Sequence, residues 1–302
     1  MDTFSTSQLG TLATEARNPA SARLDELSTL EMLGVMNDED AKVASAVRVE
    51  LPAIARAVDA IAGRFVNGGR LFYIGAGTSG RLGVLDASEC PPTFSVPAEL
   101  VQGLIAGGDR ALRLSSEHSE DSPEEGARDL AAAGFAAGDV LVGIAASGRT
   151  PYVLGAMEYA KKLGAMTIGL SCVPGSSLAK AAEIAITPAT GAEVLTGSTR
   201  MKAGTATKLV LNMLSTGVMV KTGLTYGNLM VNVRPTNAKL VDRAQRIVME
   251  AAGCDRAAAD RVLEAAGMDV KTAIVMQKSG VNRKEAEAKL AAAKGVLRTA
   301  LN

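Results

Sequence analysis

The sequence predicts an α/β protein in which a parallel sheet is covered by helices on both faces, followed by a small all-α domain. Short apolar runs alternate with helical segments between residues 70 and 221, which is the pattern of strand–helix–strand units. Loops rich in glycine and hydroxyl groups follow these runs, where ligands bind in such folds. At Leu240 the composition changes to short, alanine-rich helices. We therefore expect one domain over residues 1–239 and a second over residues 240–302.

Composition excludes several classes of function. The 302-residue chain carries 32 basic and 32 acidic side chains, so no net charge attracts nucleic acid or a membrane surface. Its one histidine, His118, excludes sites built from two or more histidines. The three cysteines form no CxxC pair, as is usual for reduced intracellular thiols. Since no apolar run is long enough to cross a bilayer, we expect a soluble, cytoplasmic protein.

Helices are expected before the sheet. Residues 1–19 show no periodicity and predict a partly extended arm. Leucines at a spacing of three predict a first helix from about Ser21 to Val35. Asn37 precedes three acidic residues and is predicted to cap a second, long helix that reaches Phe65. A kink or break is expected in that helix at Pro52.

Five strands and their crossover helices are expected next. The predicted strands are Leu71–Ile74, Leu100–Ala106, Val140–Ala145, Met166–Ser171 and Ile184–Thr187. A capping serine and a proline at the first helical position start a helix at Ser122-Pro123. The other predicted helices are Pro151–Leu163, Ser176–Ala182, Ser198–Lys221, 240–252, 255–266, 269–278 and 283–293.

The loop after the first strand predicts an anion site. Three glycines in the run Gly75–Gly80 allow a tight turn and close approach of a ligand. Thr78 and Ser79 bring hydroxyl groups to the start of the next helix, where free N–H groups and the helix dipole favour an anion. The spacing also matches the dinucleotide fingerprint. That fingerprint needs an acidic residue at the end of the second strand, where Gly107-Gly108 stands instead, so a phosphomonoester is favoured over a dinucleotide.

A second loop repeats this chemistry. Residues 146–151 follow the third strand and open a helix, and Ser147 and Thr150 again supply hydroxyl groups. Two such loops at the carboxyl ends of parallel strands can converge on one phosphate. Arg149 either adds positive charge to that site or lies in solvent, and both alternatives stay open.

Longer runs of sequence resemble a known family. The two loops resemble those of the sugar isomerase (SIS) domain of phosphosugar isomerases and regulators. Four runs make the chain similar to the N-acetylmuramic acid 6-phosphate etherase family, and the last of them also resembles a signature shared with the glucokinase regulatory protein: Ser28–Met32, Asp86–Pro92, Gly143–Tyr152 and Gly191–Thr205. The resemblance covers nearly the whole chain. It implies a flavodoxin-like, three-layer SIS domain and a C-terminal, ubiquitin-associated-like helical domain.

The resemblance also implies a reaction. Members of the family convert N-acetylmuramic acid 6-phosphate and water to N-acetylglucosamine 6-phosphate and D-lactate in the recycling of cell-wall sugars. They use no metal or other cofactor, and they act as homodimers with the active site near the interface. Elimination of lactate from the open-chain sugar needs a base for the C2 proton and an acid for the lactyl oxygen. Two carboxylates that exchange roles can supply both.

Two glutamates are the candidate catalytic residues. Glu89 is predicted at the C-terminus of the helix that starts at the first loop, where the dipole disfavours a negative charge and favours a proton donor. By position alone it is equally a solvent-facing residue; the resemblance makes it the acid that protonates lactate. Without the resemblance, Glu120 would be interpreted as part of a solvated acidic turn. The resemblance makes it the second catalytic glutamate of the family, the base that removes the C2 proton. Asp121 is the alternative for this role. His118 matches no family motif and is expected to be a bystander.

The predicted substrate-binding residues come from both loops and from the Gly191–Thr205 run. They are Gly77, Thr78, Ser79, Ser147, Gly148, Thr150, Glu193, Ser198 and Lys202. Glu193 either reaches the site or only orients its loop. Ser198, Thr199, Arg200 and Lys202 open a helix, so they either bind phosphate or the lactyl carboxylate or serve in capping and dimer packing.

Two other functions stay open on the sequence alone. A sugar-phosphate-sensing regulator without turnover would usually carry two SIS domains, and this chain has room for one. An aldose–ketose isomerase would need a single base at C2 and would not need a second acid.

Overall fold

A parallel sheet of five strands lies at the centre of the chain. A computed structural model describes residues 14–114, 118–233, 235 and 237–302. The strands are β1 (Leu71–Gly75), β2 (Val101–Ile105), β3 (Val140–Ile144), β4 (Met166–Leu170) and β5 (Ile184–Ile186). Their order is β2-β1-β3-β4-β5, and every neighbouring pair is parallel. This is the flavodoxin-like order, and it confirms the predicted fold class and all five strands.

The strand order determines where a ligand can bind. β1 lies between β2 and β3. The chain runs from β1 to β2 at one edge of the sheet, crosses back to β3, and then continues through β4 to β5 at the other edge. Gly75 at the end of β1 pairs in register with Ile144 at the end of β3. The loops after these two strands therefore begin side by side, at the switch point where ligands of such sheets bind.

Helices cover the sheet. All five residues of β1 and all five residues of β3 are buried beneath them. The helices that follow successive strands are α4 (Gly77–Phe94), α5 (Pro123–Ala132), α6 (Pro151–Lys162), α7 (Ser177–Ala181) and α8 (Lys202–Lys221). The apolar faces of α5 and α6 pack against one face of the sheet, in a core that includes Phe72, Leu141 and Tyr152. The continuous apolar runs of the strands are explained by this burial from both sides.

The bounds predicted for the first helix, Ser21–Val35, are wrong. The helix α1 spans Thr29–Asp40, and two short 3-10 turns occupy the residues before it. Ser28 decides the start, because its hydroxyl accepts the backbone N–H of Glu31 while the Glu31 carboxylate accepts the N–H of Ser28. Asn37 lies inside α1, so its predicted role as a cap is also wrong.

The expected break near Pro52 is confirmed. The predicted long helix is divided at Glu50 into α2 (Val43–Val49) and α3 (Leu51–Val66). Pro52 stands in the first turn of α3, where its missing N–H leaves no helical hydrogen bond unmade. Residues 1–13 of the predicted N-terminal arm lie outside the described residues.

The C-terminal segment is helical, as predicted. Its helices are α9 (Ala238–Ala252), α10 (Arg256–Ala265), α11 (Val270–Ser279), α12 (Arg283–Ala292) and α13 (Leu297–Ala300), the last of which was not predicted. They share a core of their own, which includes Val248, Leu263, Ile274 and Leu297.

The chain divides into two compact units. One contains the described residues up to Ser88 and the segment Glu99–Ser215; the other contains Glu89–Ala98 and Thr216–Asn302. This division falls inside α4 and α8, whereas the domain boundary expected at residues 239 and 240 and the ubiquitin-associated-like character of the C-terminus stay predictions. None of the described helices is both long and apolar enough to cross a membrane.

Candidate active site

A cavity of about 290 Å³ lies in the α/β unit, beyond the carboxyl ends of β1 and β3. This volume is at the small end of the range for ligand pockets, roughly 300–1,000 Å³. Five of the predicted binding residues line it, from both loops: Gly77, Thr78, Ser79, Ser147 and Thr150. The structure therefore brings the two hydroxyl-bearing loops together in one cavity at the switch point.

The first loop places a helix N-terminus at the cavity. α4 begins at Gly77, whose φ of 53° lies in the left-handed region that favours glycine. The first N–H groups of a helix have no intrahelical acceptor, and here they come with the hydroxyl groups of Thr78 and Ser79. Gly80 lets this turn pass close to β1, because a Cβ atom there would lie 2.6 Å from the Gly75 carbonyl oxygen.

The second loop has the same design. α6 begins at Pro151, and the Thr150 side chain makes no capping hydrogen bond, so its hydroxyl group is available to a ligand. Gly148 does not line the cavity but shapes the loop: its φ is 66°, and a Cβ atom would lie 2.2 Å from the Ser176 hydroxyl oxygen. Its carbonyl accepts the Leu178 N–H at 2.8 Å, which fixes the loop to α7.

Two carboxylates face the same cavity. Glu120, at the end of a 3-10 turn, lines it as a candidate base must. Glu15 also lines it, and sequence reasoning missed this residue because the N-terminal segment has no periodicity or glycine-rich turn to mark it. The side chain of His118 lies outside the described part of the chain, so its role as a bystander stays a prediction.

Lysine and arginine are absent from the described residues that line the cavity. An anion there would be attracted by the N-termini of α4 and α6 and by the hydroxyl groups around them. Arg149, adjacent to Ser147 in sequence, is outside this lining, and Arg200 is exposed.

Comparison with known proteins assigns the family. The model of the glucokinase regulatory protein N-terminal SIS domain matches residues 53–161, and the model of the SIS domain matches residues 112–217. The N-acetylmuramic acid 6-phosphate etherase of Aeromonas hydrophila is 60% identical over 97% of this chain and 98% of its own. The chain belongs to the N-acetylmuramic acid 6-phosphate etherase family. The etherase of Aliivibrio fischeri is 58% identical over the same shares of the two chains.

The chain also aligns with solved structures at low sequence identity. A phosphoheptose isomerase from Francisella tularensis aligns with a TM-score of 0.49 and 20% identity, covering 64% of this chain and 98% of that one.

Glu193 and Lys202, predicted as binding residues, have intramolecular partners in this etherase-family chain. The Glu193 carboxylate is 1% exposed and accepts the N–H groups of Lys202 and Ala203, both at 2.9 Å, at the N-terminus of α8. These bonds start the helix at Lys202 rather than at the predicted Ser198. They also place a negative charge at the positive end of the α8 dipole. Neither side chain lines the described cavity, so the contacts favour a structural role over the predicted one.

The ammonium group of Lys202 is held by a second carboxylate. Its Nζ atom lies 2.6 Å from Oε2 of Glu39, and both side chains are buried. Lys42 pairs with the other oxygen of Glu39. Hydrogen bonds from Lys202 and Lys42 lower the pKa of Glu39 from 4.5 to about 2, although burial acts in the opposite direction.

Glu89 has a different setting from the predicted one. It is exposed, and it does not mark the end of its helix, because α4 continues through Pro91 and Pro92 to Phe94. Glu89 therefore does not lie at a helix C-terminus, and its predicted position is wrong. Glu89 and Ser198 are not among the described residues that line the cavity, whereas Thr199, considered on the sequence beside Ser198, is.

Proposed function

We propose that the protein is a carbon–oxygen lyase that converts N-acetylmuramic acid 6-phosphate and water to N-acetylglucosamine 6-phosphate and D-lactate. The observation that carries this proposal is that one cavity combines two hydroxyl-bearing helix N-termini with the carboxylate of Glu120. The first feature suits a phosphate. The second suits proton abstraction beside a carbonyl group. Membership of the family connects both features to this reaction.

The phosphate binds at the first and second loops. Main-chain N–H groups at the start of α4 and the hydroxyl groups of Thr78, Ser79, Ser147 and Thr150 donate hydrogen bonds to its oxygens. Gly77 and Gly148 supply the backbone turns that aim these groups. No cation is needed next to the phosphate, because two helix dipoles point towards it.

Glu120 acts as the base and Glu89 as the acid. Glu120 removes the C2 proton of the open-chain aldehyde, the C3–O bond breaks, and the departing lactyl oxygen takes a proton from Glu89. The product is an unsaturated aldehyde. Water then adds at C3 and a proton returns to C2, with the two carboxyl groups in exchanged roles.

The position of Glu89 supports a homodimer with a shared active site. Thr78 and Glu89 are eleven residues apart on α4, a separation of roughly 16 Å along the helix. Five covalent bonds join the phosphorus atom to C3 of the substrate, a span of roughly 7 Å at ordinary bond lengths. A glutamate side chain is too short to span the remaining distance of roughly 9 Å between C3 and the backbone at Glu89. Glu89 of a second copy of the chain therefore supplies the acid to this cavity.

We also place the reaction in the cytoplasm. All three cysteines are free thiols, and two of them are buried. Free thiols in a chain of this size are typical of a reducing compartment.

The central test is release of D-lactate from N-acetylmuramic acid 6-phosphate by the purified protein. The expected products are lactate and N-acetylglucosamine 6-phosphate in equal amounts. When the reaction is run in deuterium oxide, the sugar phosphate should carry deuterium at C2. A folded preparation that exchanges deuterium at C2 without releasing lactate would instead be an isomerase. Glu120→Gln should abolish lactate release and retain binding of N-acetylglucosamine 6-phosphate.

Mixed dimers test whether Glu89 acts on the cavity of the partner. Glu89→Gln and Glu120→Gln homodimers are each expected to be inactive. If subunits exchange freely, half of the dimers combine the two variants, and one of their two sites has both glutamates. Activity should then return to about a quarter of the wild-type value. No recovery, with exchange verified by a tag on one variant, would mean that both glutamates act from one chain.

A further inference from the structure

Glu15 is the one cavity-lining residue contributed by the described N-terminal segment. Its Oε2 atom lies 3.1 Å from the position that a Cβ atom on Gly197 would occupy, so the carboxylate rests against the backbone before α8. In the described part of the chain, no side chain or N–H group donates a hydrogen bond to it. A carboxylate held without an internal donor has its acceptor oxygens available to a ligand.

Hydrogen bonds hold the segment that carries Glu15 against residues 192–194. The Asn18 amide donates to the Ala192 carbonyl at 3.1 Å, and its oxygen accepts the Ala20 N–H at 2.9 Å. The Ser21 hydroxyl donates to the Val194 carbonyl at 2.7 Å. Asn18 is buried, so these bonds are protected from competition with water. Glu15 is therefore positioned by a local anchor three residues away.

The charges around Glu15 determine what it can bind. The anion-binding elements of the cavity are the starts of α4 and α6, and the start of α8 is already occupied by Glu193. On the side of Gly197 and Thr199 the cavity presents Glu15 instead. A carboxylate repels the phosphate and the lactyl carboxylate of the substrate. The substrate group that donates a hydrogen bond to Glu15 must therefore be uncharged.

We propose that Glu15 is a substrate-contacting residue that binds the uncharged sugar portion of the ligand, by accepting a hydrogen bond from a hydroxyl group or from the acetamido N–H. This assignment rests on the proposed function for the identity of the ligand. Glu15 thus recognises the sugar while the two loops hold its phosphate, and it takes no part in proton transfer at C2.

Calorimetric titrations with three probes test the role of Glu15: N-acetylglucosamine 6-phosphate, glucose 6-phosphate and inorganic phosphate. Glu15→Ala should weaken binding of the first tenfold or more, the size expected for a hydrogen bond to a charged group. Affinity for inorganic phosphate should stay the same or rise, because a negative charge has been removed. An equal loss for both sugar phosphates identifies a hydroxyl donor; a loss confined to the acetamido sugar identifies the N–H.

Glu26→Gln is the matched control, because Glu26 is an exposed glutamate of the same segment that pairs with Arg23 and lies outside the cavity. It should leave all three affinities unchanged. Glu15→Leu retains much of the bulk of the side chain but neither acceptor oxygen, so it replaces the alanine variant, with the same expected losses, if that variant unfolds. Unchanged sugar-phosphate binding in Glu15→Ala, or an equal loss for inorganic phosphate, would overturn the proposal. Absence of lactate release by the wild type would overturn the proposed function alone.

Discussion

At the scale of single residues, Glu39 and Lys202 form a buried ion pair that joins α1 to α8. The two side chains are 6% and 3% exposed, and their charged atoms are 2.6 Å apart. Removing one partner from such a pair leaves an uncompensated buried charge. Loss of either charge should therefore destabilise the arrangement of α8, although neither residue lines the described cavity.

Glu39→Gln is expected to lower the free energy of unfolding by about 3–5 kcal/mol, because Lys202 is left buried without a counter-charge. Glu26→Gln, which breaks an exposed pair with Arg23, should have little effect. Urea denaturation measures both. Similar stabilities of the two variants would show that the Lys202 ammonium finds another partner.

The pH dependence follows from the same carboxylate. The pKa of Glu39 is about 2 in the folded chain and near 4.5 when it is free, so its contribution to stability is complete above pH 4.5 and is lost as the pH falls towards 2. We expect the wild type to lose more stability than Glu39→Gln across this interval. Parallel curves for the two proteins in urea titrations from pH 6 to pH 3 would contradict the assignment.

At the scale of elements, the N-terminus of α4 depends on glycines that let it approach the sheet. A Cβ atom on Gly80 would lie 2.6 Å from both the Gly75 carbonyl oxygen and Cγ1 of Ile105. Gly63 in α3 has no described atom within 4 Å of the same position. The two helical glycines thus differ in their surroundings, and only Gly80 is required for close packing.

Gly80→Ala should destabilise the protein by about 1–3 kcal/mol, as overpacking does, and should weaken binding of inorganic phosphate because the start of α4 shifts. Gly63→Ala should instead stabilise it by about 0.5–1 kcal/mol, since alanine is the better helix former. Thermal unfolding and phosphate titration measure the two effects. Unaltered phosphate affinity in Gly80→Ala would mean that the α4 turn does not hold the anion.

At the scale of the whole molecule, the chain has separate cores in its two compact units. Leu297, fully buried, belongs to the core of the helical unit, whereas the residues that line the cavity all belong to the α/β unit. Damage to the core of the helical unit should therefore leave ligand binding in the cavity intact, although Glu89 belongs to the helical unit.

Leu297→Ala is expected to lower the free energy of unfolding of the helical unit by about 2–5 kcal/mol, because it leaves a cavity in that core. Leu301 is a partly buried residue beside the same core, so Leu301→Ala should lower the free energy of unfolding by a smaller amount. N-acetylglucosamine 6-phosphate should bind both variants as it binds the wild type. Calorimetry gives stability and affinity on the same samples, and a large loss of affinity in Leu297→Ala would show that the helical unit supports the cavity.

Local signals in the sequence predicted most of the fold. The five strands follow from short apolar runs. The start of α5 follows from its capping serine and its proline, and the start of α6 from Pro151. The spacing of the leucines does not indicate where α1 begins, because the capping box at Ser28 determines its start. The end of α4 differs from the prediction at Glu89, because the helix continues through Pro91 and Pro92 to Phe94.

The sequence by itself determined the α/β class, the two hydroxyl-bearing loops and the similarity to the family, because these depend on residue types at short spacing. Only the tertiary structure decided that both loops and Glu120 share one cavity, that Glu193 and Lys202 have internal partners, and that Glu15 reaches the site. Such contacts join residues that are far apart in sequence, as Lys202 and Glu39 are, which lie 163 positions apart. No local pattern encodes them, since they arise only when the sheet order brings distant segments together.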